Sequence, residues 1–218
     1  MNKFRLSMIF LLNLIFVTQL GAANIKAFFY PHIITPEENL IDGPHGRKLD
    51  ILENTALIWV DLEPTQKFPH ETTYILISKE HIRVEKGTRW PVLNKRKILG
   101  GERNNYAILS PFSISYDSTS GIPEDRIDIY IYPFELDPKN LLTDGPFENL
   151  FLIDDNCLLI WVDLLPAAYF THPTAYIFIS KNNIYVKNGK WWPMLNGKRI
   201  LYGQQNKTGI ISPFKISY

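Results

Sequence analysis

The chain has 218 residues, and its 23 Lys and Arg residues nearly balance its 22 Asp and Glu residues, giving a formal net charge of +1 at pH 7. This near neutrality excludes the general electrostatic attraction that holds basic proteins on nucleic acid or on anionic lipid. A content of 45% hydrophobic and 13% aromatic residues is enough for domains that fold on an apolar core. Cys157 is the only cysteine, so we expect no disulfide within the chain.

Residues 1–23 have the pattern of a secretory signal peptide. Lys3 and Arg5 form a positive segment, an apolar run follows at residues 8–17, and residues 21–23 (Gly-Ala-Ala) supply small side chains for a cleavage site. A membrane anchor is the competing interpretation, but it needs about 20 apolar residues and this run is shorter. We therefore expect a cleaved signal peptide and a mature protein that is secreted or periplasmic, without a membrane span.

The remaining sequence is an internal repeat. Residues 30–116 align with residues 132–218 without a gap at a shift of 102 positions, and 42 of the 87 aligned positions carry the same amino acid. A period of about 100 residues matches a complete small domain and is too long for one unit of a solenoid. We expect two copies of one module, residues 24–116 and 127–218, joined by a polar linker at residues 117–126.

Short β-rich segments separated by turn residues fill each module. In the second copy these segments are 127–136, 158–164, 174–180, 184–187, 190–195, 198–202 and 210–218. Asn188-Gly189 and Asn196-Gly197 fall between successive segments, and Asn-Gly favours the type I′ turn of a β-hairpin. The sequence therefore predicts an up-and-down meander of four strands over residues 174–202.

Residues 74–77 and 158–162 are apolar at every position. Such runs indicate central strands that are covered on both faces. About seven strands in each module are typical of a β-sandwich. We therefore predict an all-β fold of two tandem, homologous β-sandwich modules of the immunoglobulin-like type, with a small barrel as the alternative.

One histidine is repeated in the two modules, as His70 and His172. Together with Asp61 or Asp163, it is the weak candidate for a metal site or a proton-transfer site. A metal site normally needs three or four converging ligands, and each copy repeats only one histidine. The sequence therefore favours a structural role, in which the ring nitrogens connect a loop to the sheet.

Catalytic signatures are scarce. A triad of Asp61, His70 and either Ser78 or Ser110 has suitable residue types, but no Gly-x-Ser-x-Gly motif accompanies it. The sequence also has no Gly-rich phosphate loop, no Cys-x-x-Cys and no His-Glu-x-x-His. We expect a protein that is not an enzyme and has no cofactor. The alternative is a metal-dependent or hydrolytic enzyme centred on His70 and His172.

Aromatic residues are better candidates for partner contacts. Trp90, Trp191 and Trp192 follow predicted tight turns and lie close to Lys and Arg residues. Exposed tryptophan rings give contact area for a sugar or a protein at low cost in entropy. A structural role at the end of the sandwich competes with this interpretation, because tryptophan is highly buried on average.

The two copies differ most at residues 45–48 against 147–150 and at residues 63–67 against 165–169. The second copy is the more apolar one in both segments, and exposed apolar patches often mark interaction sites. The candidate contact residues there are Phe147, Leu150 and Tyr169. We therefore expect the second module to carry the main protein contact, between modules or to another subunit, whereas the repeated positions mostly serve the scaffold.

Residues 57–61 (Leu-Ile-Trp-Val-Asp) resemble the tryptophan-containing strand in the first domain of periplasmic pilus chaperones. These are exported proteins with two immunoglobulin-like domains. Here the motif recurs at residues 159–163, where that family does not carry it, so the likeness reflects common β-sandwich patterning. We expect an exported binding or structural protein of the cell envelope or extracellular space, which contacts a protein or glycan. A periplasmic chaperone-like assembly factor is an alternative.

Overall fold

The structure is a computed structural model. It describes residues 25–100, 126–146 and 149–201, and only the backbone of residues 106–110, 112–115, 208–212 and 214–216. The predicted signal peptide, Phe147 and nearly all of the linker lie outside the described residues. In the described part of the chain, no helix is long and apolar enough to cross a membrane.

The described secondary structure consists of short antiparallel strands. Those of the first repeat are β1 (Ile25–Phe29), β2 (Leu40–Asp42), β3 (Lys48–Leu49), β4 (Ala56–Asp61), β5 (Thr72–Ile77), β6 (Ile82–Gly87), β7 (Pro91–Leu93), β8 (Arg96–Lys97), β9 (Tyr106–Ser110) and β10 (Phe112–Ser115). Those of the second repeat are β11 (Arg126–Ile131), β12 (Leu142–Asp144), β13 (Leu150–Phe151), β14 (Leu158–Asp163), β15 (Thr174–Ile179), β16 (Ile184–Gly189), β17 (Pro193–Leu195), β18 (Lys198–Arg199), β19 (Thr208–Ser212) and β20 (Phe214–Ile216). The predicted all-β class is confirmed.

These strands form two large sheets, two small sheets and one separate pair. Large sheet 1 has the order β20-β1-β4-β5-β6, and large sheet 2 has the order β10-β11-β14-β15-β16. Outer sheet 1 has the order β3-β2-β7-β8, and outer sheet 2 has the order β13-β12-β17-β18. Strand β9 pairs with β19. The layered arrangement is of the β-sandwich type.

Each repeat supplies one strand to the large sheet of the other repeat. Strand β10 pairs with β11, with Ile114 opposite Ile127. In the same way β20 pairs with β1, with Ile216 opposite Ile25. The boundary between modules at residues 117–126 stays a prediction, but the pairing shows that each repeat completes the sheet of its partner repeat.

The two large sheets pack face to face and share one apolar core. Alternate residues of the central strands point into it from both repeats, among them Ile58, Ile75, Ile160 and Ile177. The intervening residues point to the outer sheets, where Trp59 and Trp161 lie in two further clusters. Strands β4, β5, β14 and β15 are buried at every position, so the prediction of strands covered on both faces is confirmed.

The predicted four-stranded meander over residues 174–202 is wrong. Asn188 and Gly189 end strand β16, after which the chain crosses to the outer sheet and continues as β17. Glycine is needed at position 189 because a Cβ atom there would lie 2.4 Å from a ring carbon of Tyr176. Asn196 and Gly197 do form the predicted hairpin turn, with φ angles of 50° and 76°.

A buried aspartate and a buried tyrosine hold each crossover in place. The Tyr74 hydroxyl donates to Asp42 Oδ1 over 2.9 Å, and Asp42 also accepts the backbone N–H groups of Thr88 and Arg89. Burial, and then the nearby Asp42 charge, raise the pKa of Tyr74 far above its ordinary value. The phenol therefore stays a hydrogen-bond donor.

The second repeat reproduces this network with Tyr176 and Asp144, whose hydroxyl-to-carboxylate distance is 2.8 Å. Asp144 accepts the N–H groups of Lys190 and Trp191. Since these residues begin the segment between β16 and β17, the network fixes the outer sheet against the large sheet in both repeats.

Candidate functional site

The repeated histidine pairs with the repeated aspartate at the end of β4 and β14. His70 Nε2 lies 2.8 Å from Asp61 Oδ1, and His172 Nε2 lies 2.8 Å from Asp163 Oδ1. Each aspartate Oδ1 also accepts the backbone N–H two residues later. The pair connects the loop after the strand to the sheet, as the structural interpretation predicts.

The environment of this pair differs between the repeats. In the second repeat, His172 Nδ1 also lies 2.7 Å from the carbonyl oxygen of Phe170. Both ring nitrogens therefore face acceptors, so the two hydrogen bonds form together only if both nitrogens, or one nitrogen and Asp163, carry protons. Burial is the main cause that raises the pKa of Asp163, and His172 opposes it.

The residues of the triad considered from the sequence do not come together at Ser78. Its Oγ lies 2.7 Å from Glu53 Oε1 and 2.8 Å from the carbonyl oxygen of His81. Ser78 follows the last residue of β5, whereas His70 precedes the first residue, Thr72. The side chain of Ser110 lies outside the described residues. Among the side chains that the structure describes, no three His, Cys, Asp or Glu residues converge as metal ligands.

In the first repeat, the space beside this pair is filled by Phe68. Its ring stacks on His70 with 4.2 Å between centroids and meets Trp90 edge-on at 4.9 Å. Behind it, the indole N–H of Trp59 donates to the carbonyl oxygen of Arg89 over 3.0 Å. The Phe68 ring fills the space and the Trp59 indole has its acceptor, so this region is closed, while His70 Nδ1 is enclosed without a partner among the described residues.

In the second repeat, the corresponding Phe170 is turned outward, with 82% of its surface exposed. The space left beside His172 is a cavity of about 280 Å³, which we call the aromatic pocket. Its lining residues are Arg126, Asp128, Tyr130, Trp161, Asp163, Pro166, Ala168, Tyr169, Phe170, His172, Trp192 and Arg199. Positions 68 and 170 are both phenylalanine, so the two repeats differ here in the conformation of the loop and not in the type of side chain.

Two polar groups of this pocket lack partners. The indole N–H groups of Trp161 and Trp192 are enclosed and have no hydrogen-bond acceptor among the described residues. An enclosed donor without an acceptor costs about 1–3 kcal/mol. The indole donor of Trp161 is therefore unpaired in the second repeat, whereas the corresponding donor of Trp59 is paired in the first.

A second contrast lies at the edge strand of each large sheet. In the first repeat, Arg47 bridges from the loop before β3 to β6, with one nitrogen 2.8 Å from Glu85 and the other donating to the Lys86 carbonyl over 2.8 Å. Arg83 also contacts Glu85 and donates to the carbonyl oxygen of Asp50. This arginine–glutamate network closes the gap between β3 and β6.

The matching residues of the second repeat cannot form that network, since Asn149 replaces Arg47 and Lys187 replaces Glu85. A cleft of about 640 Å³ lies between β13 and β16, which we call the edge cleft. Among the described residues of its lining, a single long hydrogen bond crosses it, from the Tyr185 hydroxyl to the Leu152 carbonyl oxygen over 3.4 Å. Leu150 is 51% exposed at its wall.

The residues predicted from sequence fall into three groups. Trp90 is half-buried against Phe68, and Trp191 is half-buried over Gly145, where a Cβ atom would lie 2.7 Å from the Trp191 ring. Trp192 and Tyr169 line the aromatic pocket, while Leu150 lines the edge cleft. Phe147 lies outside the described residues, and its role stays a prediction.

Sequence reasoning missed Arg126, Asp128 and Arg199 at the pocket and Tyr185 and Lys187 at the cleft. Comparing the repeats by charge could have found two of them, because Lys26 stands where the second repeat has Asp128, and Glu85 where it has Lys187. Both segments with the largest sequence differences border the two openings.

No protein-family model, curated protein or solved structure matches this chain. The comparison between its own two repeats is therefore the guide to the site.

The outward position of Phe170 predicts unequal effects of two matched substitutions. Phe68→Ala should lower the free energy of unfolding by about 2 kcal/mol, because it empties a packed aromatic cluster. Phe170→Ala should change it by less than about 0.5 kcal/mol, because an exposed ring contributes little. Urea unfolding of both variants measures the difference. Equal losses would show that Phe170 packs inward as Phe68 does.

The raised pKa of Asp163 predicts a pH dependence. The folded state binds this proton more tightly than the unfolded state, so the stability it contributes is present below about pH 4 and is lost as the pH rises through the folded-state pKa. Asp163→Asn should remove that loss. As the pH rises above about 4, the unfolding free energy of the wild type should therefore fall relative to that of the variant. Parallel profiles would contradict the expectation.

Proposed function

We propose that this chain is an exported, non-enzymatic binding or structural protein of the cell envelope or extracellular space. Its two β-sandwich repeats, of the immunoglobulin-like type, follow a cleaved signal peptide at residues 1–23. The second repeat contacts a protein or glycan partner, while the first repeat mainly provides the scaffold.

The observation that carries this proposal is the edge cleft. The same position is closed by Arg47, Glu85 and Arg83 in the first repeat and is open in the second. A charged side chain on an edge strand is a common means of preventing unwanted strand pairing. The second repeat keeps such a charge, Lys187, but has neither arginine of the closing network, which supports a contact surface that is specific to this repeat.

The cleft walls have the composition of an interaction surface. Leu150 and Leu152 are 51% and 73% exposed, and they lie beside Tyr185 and Val186 of the edge strand. Exposed leucines grouped around a groove mark contact sites more often than scattered ones do. Asn149, Asn183 and Asn188 add neutral hydrogen-bonding groups at the rim.

A chaperone-like assembly factor is the second candidate, and the position of β16 favours it. This strand pairs with β15 and stands at the edge of large sheet 2. An extended segment of a partner could add to such an edge through backbone hydrogen bonds, with its side chains in the adjoining cleft. The two candidates share the same surface and differ in what becomes of the bound partner.

Closing the cleft should abolish association. Asn149→Arg with Lys187→Glu recreates the charged pair that closes the first repeat, and both positions are exposed, so the free energy of unfolding should change by less than about 0.5 kcal/mol. Partners captured by the full mature chain from an extract of its own organism should be lost from this variant. Quantitative mass spectrometry of the captured proteins and glycans gives the measurement.

The matched control is Arg47→Asn with Glu85→Lys, which opens the first repeat and should leave the original partners bound. If the closed variant keeps all partners of the wild type, the edge cleft is not the contact surface and the proposal fails.

A further inference from the structure

We propose that the aromatic pocket of the second repeat binds a saccharide ring. This inference rests on the proposed binding function, because it assigns a ligand class to the second opening of the same repeat. It concerns different residues from those of the edge cleft, so the two can be tested separately.

The walls of the pocket fit a small ring with one apolar face. Tyr130, Trp161 and Trp192 form its lining, and the exposed rings of Tyr169 and Phe170 stand at its mouth. A volume of about 280 Å³ is slightly below the roughly 300 Å³ at which small-molecule sites begin, so the pocket has room for a small ligand only. Aromatic rings offer flat contact area at low entropic cost, which suits the flat side of a sugar.

The polar groups of the lining call for both donors and acceptors on the ligand. Asp163 Oδ1 is bonded to the Leu165 N–H and to His172, whereas its Oδ2 atom has no hydrogen bond to the described residues. A ligand hydroxyl can donate there. The indole N–H groups of Trp161 and Trp192 need acceptor oxygens, which hydroxyl and ring oxygens supply.

The charges of the lining exclude simpler ligands. Arg126 forms an ion pair with Asp128, with 3.1 Å between Nε and Oδ1, and Asp163 lies 2.8 Å from His172. The two arginines and two aspartates of the lining therefore give no excess of one charge that would favour a cation or an anion. A plain hydrocarbon chain would offer no acceptor to the enclosed indole N–H groups of Trp161 and Trp192. A polyhydroxylated ring of low net charge can form hydrogen bonds with the charged groups and also stack on the aromatic walls.

Binding has to displace part of the present lining, because the two indole N–H groups are enclosed. The Arg199 guanidinium lies 3.6 Å from the centroid of the Trp192 ring and covers it. Its displacement toward a ligand oxygen would expose the ring. In free protein the stacked arginine therefore acts as a removable cover over the proposed site.

The first repeat lacks this site for three reasons. Phe68 fills the space, and the Trp59 indole already donates to Arg89. Lys26 stands where the second repeat has Asp128. We therefore infer one saccharide site in each chain rather than two.

The test uses the full mature chain on an array of immobilised neutral, amino and acidic glycans, followed by calorimetric titration of the oligosaccharide that binds best. Trp192→Phe keeps an aromatic ring but removes the unpartnered N–H. It should weaken binding by about tenfold without lowering the melting temperature, because removal of the unpaired donor offsets the loss of ring contacts. Tyr169→Ala, at an exposed position, should also weaken binding. The matched variant Trp90→Phe should leave the affinity unaltered.

Absence of glycan binding at millimolar concentration would overturn the inference, as would equal effects of Trp192→Phe and Trp90→Phe. If glycans fail to bind while the closed-cleft variant still loses its partners, the saccharide inference fails and the proposed binding function stands. If the pocket variants instead abolish capture of a protein, the pocket is a protein contact and the saccharide assignment is wrong. If neither glycans nor cleft-dependent partners bind, both proposals fail.

Discussion

The shared apolar core between the two large sheets is the constraint on which the rest of the structure depends. It is built from alternate residues of both repeats, including Ile25, Ile58 and Ile75 from one and Ile129 and Ile160 from the other. Burial of this kind supplies most of the favourable free energy of folding. Because each inner face finds its cover in the other repeat, neither large sheet has an apolar partner of its own for that face. Strands β10 and β20, each paired in the other repeat's sheet, extend the same dependence to the backbone.

This packing separates scaffold from surface. The inner faces are committed to each other, so variation between the repeats is left to the outer sheets and the loops beside them. The Tyr–Asp network is kept in both repeats with nearly the same distances. At the periphery, by contrast, Arg47 gives way to Asn149, and Phe68 packs inward where Phe170 does not. In the first repeat, side chains of the repeat itself close both regions. In the second repeat, the same fold leaves the edge cleft and the aromatic pocket open.

Much of the fold could be predicted from the sequence, because it depends on local pattern. The unbroken apolar runs at β4 and β14 indicated strands covered on both faces, and the ungapped repeat indicated two equal units. The meander failed because Asn188-Gly189 has the composition of a turn, while the glycine is present for a different reason, the close approach of Tyr176. The exchange of β10 and β20 leaves no local signal, since an antiparallel strand has the same pattern whichever sheet it joins.

The site was predictable in part. Their repetition marked His70 and Asp61 as candidates, and the divergent segments pointed to the loops that border both openings. The pocket exists because the Phe170 ring points outward, whereas the Phe68 ring points inward. The sequence has phenylalanine at both positions, so it could not predict this difference. Arg126 and Arg199 reach the pocket from strands far apart in sequence, a proximity that pattern alone does not give.

The most direct test of the shared core is the unfolding of two matched variants, Ile58→Ala and Ile160→Ala, followed by hydrogen exchange in each repeat. If the repeats form one cooperative unit, each substitution should lower the unfolding free energy of both repeats together, by about 2–5 kcal/mol, in a single transition. Two transitions, with each substitution lowering the stability of its own repeat alone, would contradict the account.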